Sequence, residues 1–227
     1  MGKKAKIISA ILKLITVISA AVGTVISASA GRNFFMGGRR VFMYFTIQSN
    51  IAIAIICAIG LHFLVKKKTV PPAWQVIKFV GTVSITLTGI VFGFVLAPTL
   101  GANAWNVQNT LTHLVVPVAA VIDFFVIAPE TSIKKKNVLY VIIPPVLYAL
   151  YAGIGYVLDW DFAAGYNYPY FFLNWGSPAG AFGFTNGLPF MGVAWWILAI
   201  LVFLITIGYA YLVLSDLIKK KTDRRIK

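Results

Sequence analysis

Apolar residues come in long blocks along this chain rather than in strict alternation. Six stretches of about 20 residues or more carry almost no charge: about 7–29, 41–65, 75–97, 107–128, 137–157 and 190–216. As a helix, each is long enough to cross roughly 30 Å of hydrocarbon. Helices satisfy their own backbone hydrogen bonds there, which open strands cannot do. The pattern predicts an all-α fold: a bundle of six transmembrane helices in a single domain. The links are short except 158–189, which is aromatic and rich in Gly and Pro. No internal repeat stands out, and the links leave no room for a separate soluble domain.

Composition agrees. Of 227 residues, 59% are hydrophobic and 11% charged, against about 25% charged in a soluble domain. The mean hydropathy of +0.86 excludes a disordered chain, a collagen, a coiled coil and an ordinary water-exposed domain.

The net charge of +14 on a soluble chain would point to nucleic acid. Its distribution points elsewhere. Seventeen of the twenty Lys and Arg residues fall on one side of the six-span topology: at the N-terminus, in the second and fourth links with their flanks, and in the C-terminal tail. Arg32, Arg39 and Arg40, in the first link, are the other three. The positive-inside rule then predicts that both termini are cytoplasmic. The basic runs set orientation and attract anionic lipid at the cytoplasmic face; no nucleic-acid partner is expected. The first span, with its Lys-rich lead and Ala28-Ser29-Ala30, resembles a signal peptide. Its apolar run of about 20 residues exceeds the usual 7–15, so a retained helix is expected.

Polar groups at membrane depth are costly, which makes them candidates for function. At the outer end of the second span, Thr46, Ser49 and Asn50 share one helical face and Gln48 points the other way. In the fourth span, Asn106, Asn109, His113 and Pro117 form a stripe at spacings of three, four and four. Pro117 has no N–H to give to the carbonyl of His113, which frees that carbonyl and predicts a local kink. Neutral imidazole is a competent base near pH 7. Counting from the outer ends of their spans, Thr46 lies about 8 Å deep and His113 about 9 Å. A hydroxyl and an imidazole therefore sit at one level. Interhelical hydrogen bonding is the competing reading of both groups.

The remaining polar positions read differently. Gly89 and Gly93 form a GxxxG for close helix packing. Asp123 lies about 15 Å deeper than His113, too far to orient it; pairing with a Lys near the inner face and a proton-relay role are both open. His62, near Lys66 at the inner end of the second span, reads as interfacial. Cys57 stands alone and reads as small apolar packing. With two histidines and one cysteine, neither a metal site nor a cofactor is expected. The aromatic stretch 158–189 reads either as an interfacial belt or as a cap over the outer end.

Arg39-Arg40, then Tyr44-Phe45-Thr46 opening the second span, then the Asn/Thr-rich lead into His113 with Pro117 four residues on, resemble the androgen-induced-gene-like family. That family includes the androgen-dependent regulator of tissue factor pathway inhibitor and bacterial six-span relatives. Tyr168-Pro169-Tyr170-Phe171-Phe172 resembles an aromatic Tyr-Pro motif of the bacterial branch, with Asn174 where an acid is expected. The resemblance spans roughly 40–216. It implies a membrane threonine hydrolase acting on lipid esters of the fatty acid–hydroxy fatty acid type, in a bacterial plasma membrane. Thr46 would be the nucleophile and His113 its base. For the oxyanion and the substrate, Asn50 and Asn109 are the first candidates, with Asn106 and Gln48 behind them. The alternative is a small transporter or lipid-binding protein that uses the same polar site.

Overall fold

The computed structural model describes residues 2–30, 38–101, 104–127 and 133–226; Arg32 lies outside them, as do the side chains of Arg224 and Arg225 and the whole of Lys227. Among the described residues, six helices are long and apolar enough to cross a membrane. They are α1 (Lys3–Ala30), α2 (Phe45–Val65), α3 (Pro72–Leu100), α4 (Val107–Val126), α5 (Lys135–Val157) and α6 (Val193–Ile226). Their outer faces are apolar: Ile11 and Val25 of α1, Leu147 and Leu150 of α5, and Val202 of α6 are all exposed. Exposed aliphatic surface on every face of a bundle matches hydrocarbon, not water.

α3 is the hub. It packs against α2 and α4 on one side and against α5 and α6 on the other, while α1 covers α2 and α4. Two apolar cores follow from this arrangement. One joins Phe79, Val83 and Leu87 of α3 to Phe124, Val141 and Leu204. The other joins Ala20, Ile53, Cys57, Ile85, Val116 and Ala120 across α1 to α4. Cys57 is buried there, as its small apolar character leads one to expect.

Local chemistry explains where the helices depart from the simple pattern. The second span does not begin at residue 41. A 3-10 turn, Gly38–Met43, comes first, and α2 starts at Phe45 after an extended Tyr44. The Tyr44 hydroxyl donates to the Phe162 carbonyl at 3.0 Å, and Tyr148 donates to the Met43 carbonyl at 3.0 Å. These bonds hold the junction open and put Thr46 in the first turn of α2. α3 and α4 each contain a π turn, Phe92–Leu96 and Leu111–Val115. Each turn lies two residues before a proline, Pro98 and Pro117. A proline cannot bond the carbonyl four residues back, and the widened turn absorbs the break.

The segment 158–192 folds back on the loop end of the bundle. Phe162, Phe172 and Leu173 are buried, and Phe172 and Leu173 join a core with Tyr148 and Val193. Arg40 and Asp161 form an ion pair across the same end. This segment is a packed cap rather than a free belt.

Candidate functional site

The π turn of α4 builds one wall of the site. Two glycines let neighbouring helices close on it. A Cβ on Gly23 of α1 would lie 2.7 Å from Thr112 Cγ2, and one on Gly89 of α3 would lie 2.9 Å from the carbonyl oxygen of His113. That carbonyl is the one Pro117 leaves without its helical donor. Of the GxxxG pair, Gly89 makes the close approach, whereas a Cβ on Gly93 would meet nothing within 4 Å.

His113 is held firmly. Its ring stacks on Phe92, with centroids 3.7 Å apart and 21° between planes. Its Nδ1 lies 3.0 Å from the Asn109 carbonyl and 3.0 Å from Thr112 Oγ1. The Thr112 hydroxyl hydrogen is already given to the Gln108 carbonyl at 2.8 Å. Both neighbours of Nδ1 therefore accept, so the network assigns the proton to Nδ1 and leaves Nε2 with its lone pair. That is the tautomer a general base requires.

Thr46 forms the opposite wall. Its carbonyl accepts from Asn50 Nδ2 at 2.8 Å and from the Ser49 hydroxyl at 3.0 Å. Ser49 also meets Thr88 Oγ1 of α3 at 2.7 Å. As a first-turn residue Thr46 has an amide with no helical acceptor; it donates to the Tyr170 hydroxyl at 3.4 Å, and Thr46 Oγ1 lies 3.5 Å from the same hydroxyl. Tyr170 comes from the cap. Burial pushes its pKa above the ordinary tyrosine value, so it remains a neutral donor.

Thr46, His113, Asn109 and Tyr170 line a single cavity of about 260 Å³. No hydrogen bond joins Thr46 to His113. A second cavity, of about 60 Å³ and walled almost wholly by apolar side chains of α3, α5 and α6, shares Thr46, Phe92, Leu96 and Tyr170 with the first. Thr46 thus stands between a chamber that carries Asn109, Thr112 and His113 on its wall and one that is almost wholly apolar.

The other candidates separate. Asn50 is fully buried and bridges α2 to α4: besides Thr46 its Nδ2 donates to the Thr112 carbonyl at 3.1 Å. Both its amide hydrogens are committed, which removes it as an oxyanion donor and makes it a strut. Asn106 is exposed and caps α4, accepting from the Asn109 amide at 2.9 Å; it does not line the cavity. Gln48 donates to the Phe42 carbonyl at 3.1 Å and lines a groove between α2, α3 and α5, away from His113. Asn109 spends one amide hydrogen on the Ala104 carbonyl at 2.8 Å and stays on the cavity wall.

Asp123 is not brought to His113. It is fully buried and accepts from Lys13 at 2.7 and 2.8 Å, from Lys78 at 2.6 Å and from Ser9 at 2.5 Å. The core of Val116, Ala120, Ile53 and Ile85 lies between the two groups. Lys13 is buried and Lys78 partly buried, and both are paired with Asp123. Tyr170 is the residue that pattern reading leaves out of the site. Its signal was its place in the Tyr-Pro run, but nothing local says that it turns inward.

Comparison with known proteins adds no likeness: no family model, curated protein or solved structure matches this chain.

Proposed function

We propose that this protein is an intramembrane hydrolase of lipid esters, of the fatty acid–hydroxy fatty acid type, with Thr46 as nucleophile and His113 as base. This is the activity of the androgen-induced-gene-like family that the motifs resemble. The observation that carries the reading is that Thr46 and a Nδ1-protonated His113 line one cavity, with an apolar chamber opening on the same threonine.

In this reading an ester enters with its carbonyl beside Thr46 and the first carbons of one acyl chain in the apolar chamber. His113 Nε2 takes the hydroxyl proton as Thr46 Oγ1 attacks the carbonyl carbon. Substrate binding has to draw the two side chains within hydrogen-bond reach, a tightening common on going from an empty site to a Michaelis complex. The tetrahedral oxyanion accepts from the Tyr170 hydroxyl and the free amide hydrogen of Asn109, in place of Asn50. Collapse expels the alkoxide, which takes the proton from His113. Water then cleaves the acyl-threonine, with His113 again serving as base.

The apolar core between His113 and Asp123 weighs against the alternative of a transport path through the bundle, since such a path needs polar lining along its length. The charge asymmetry supports an orientation with both termini and the basic end at the cytoplasm of a bacterial cell, and with the cap outside. Labelling with a fluorophosphonate tests the reading. Wild type is expected to label, and Thr46→Ala and His113→Ala to lose labelling. Undiminished labelling of a folded Thr46→Ala protein overturns it.

A further inference from the structure

The basic end holds a second site of different chemistry. A cavity of about 220 Å³ is lined there by Lys6, Lys13, Lys67, Lys68 and Lys78, with Trp74 among the other wall residues. Helix geometry sets two of these lysines in place. α2 ends in a Schellman motif, in which the Lys68 amide bonds the Phe63 carbonyl at 3.0 Å and the Lys67 amide the Leu64 carbonyl at 3.3 Å. Lys67 takes the left-handed position, with φ 50°, where glycine is usual. The turn carries both side chains to the rim of the cavity.

The charges do not balance. Lys13 and Lys78 share the single carboxylate of Asp123. Lys6, Lys67 and Lys68 have no ion pair among the described residues. Five lysines thus line a space backed by one carboxylate.

We propose that this cavity binds a phosphate group. A compact anion with several acceptor oxygens fits this lining: it offsets the excess of ammonium charge and accepts from several lysines at once. The site lies where α2 and α3 end, which is the level of lipid headgroups when the helices span a bilayer. The phosphate of an anionic phospholipid and free inorganic phosphate share this chemistry.

Native mass spectrometry of the full-length protein in neutral detergent separates the two sources. Phosphatidylglycerol, phosphatidylcholine and inorganic phosphate are the probes. Phosphatidylglycerol is expected to be retained well above phosphatidylcholine. Lys67→Gln/Lys68→Gln, at exposed positions that leave folding intact, should lower retention about 25-fold, at about fivefold per lysine. Lys134→Gln/Lys136→Gln, at the same end but outside the cavity, should leave it within about twofold of wild type, less than the loss of one cavity lysine. Binding of inorganic phosphate without phosphatidylglycerol, with the same variant pattern, supports the site and assigns it to the free ion. Equal retention of the two lipids without phosphate binding overturns the proposal, as does insensitivity to the Lys67 and Lys68 changes. The outcome is independent of fluorophosphonate labelling at Thr46.

Discussion

The two ends of the bundle handle polar groups in opposite ways. At the loop end the polar side chains of the cavity are neutral. Asn50, Ser49 and Thr112 give their hydrogens to backbone carbonyls, while Thr46 and His113 remain on a cavity wall. At the basic end the buried groups are charged, and Asp123 is surrounded by Lys13, Lys78 and Ser9. A medium of low dielectric tolerates ions only when they are paired. It leaves neutral groups free to face a cavity at much lower cost. The proposed chemistry accordingly belongs to the neutral end, and the buried ion pairs to the other.

The sharpest way to break this contrast is to remove the proposed nucleophile or its base. Thr46→Ala or His113→Ala should lower labelling or ester turnover by about a thousandfold or more; Thr46→Ala should change Tm little, whereas His113→Ala also loses the packing of a buried ring. Asp123→Asn should do the reverse. It leaves two ammonium groups without their carboxylate and should destabilise the protein by about 3–5 kcal/mol, measured by chemical or thermal denaturation in detergent, while the surviving folded protein still labels. Adding Lys13→Met should recover part of that loss, since the buried charge goes with it. A stable Asp123→Asn protein that had lost labelling would erase the division between the ends.

Smaller effects sharpen it. Tyr170→Phe should reduce turnover by about a hundredfold, the scale of one oxyanion donor, with substrate affinity nearly unchanged. Because burial raises the Tyr170 pKa, the wild-type rate should not fall as pH rises through about 10, where a free tyrosine ionises. Arg40→Gln breaks an exposed ion pair with Asp161 and should cost less than about 1 kcal/mol, read as a small loss of Tm.

The six helices were readable because each apolar run is long and nearly free of charge. Residue counting also put Thr46 and His113 at one level, and they do line one cavity. Other features depend on partners far along the chain. α2 starts at Phe45 because Tyr44 bonds a carbonyl at residue 162. Asn50 loses its donors to Thr46 and to Thr112, the latter 62 residues away. Lys13 and Lys78 looked like ordinary basic residues near span ends; their inward pairing depends on a carboxylate 110 and 45 residues distant. Tyr170 enters the site because the whole cap folds inward. Periodicity reports which face of a helix is apolar, but not which distant group will meet it.

The π turn of α4 has one more consequence. A widened turn is the mark of a residue inserted into a regular helix, and each helical residue advances the phase by about 100°. The extra residue therefore acts as a rotational offset between the two halves of α4. It lets the Asn109 half face the cap while the Asp123 half faces Lys13 and Lys78. Deleting a single residue within 111–115 would let the helix run straight, and its two halves could no longer both be in register with their partners. The neutral end and the charged end of the protein are thus set against each other by the length of one short segment, as two hands of a clock are set by the gear between them.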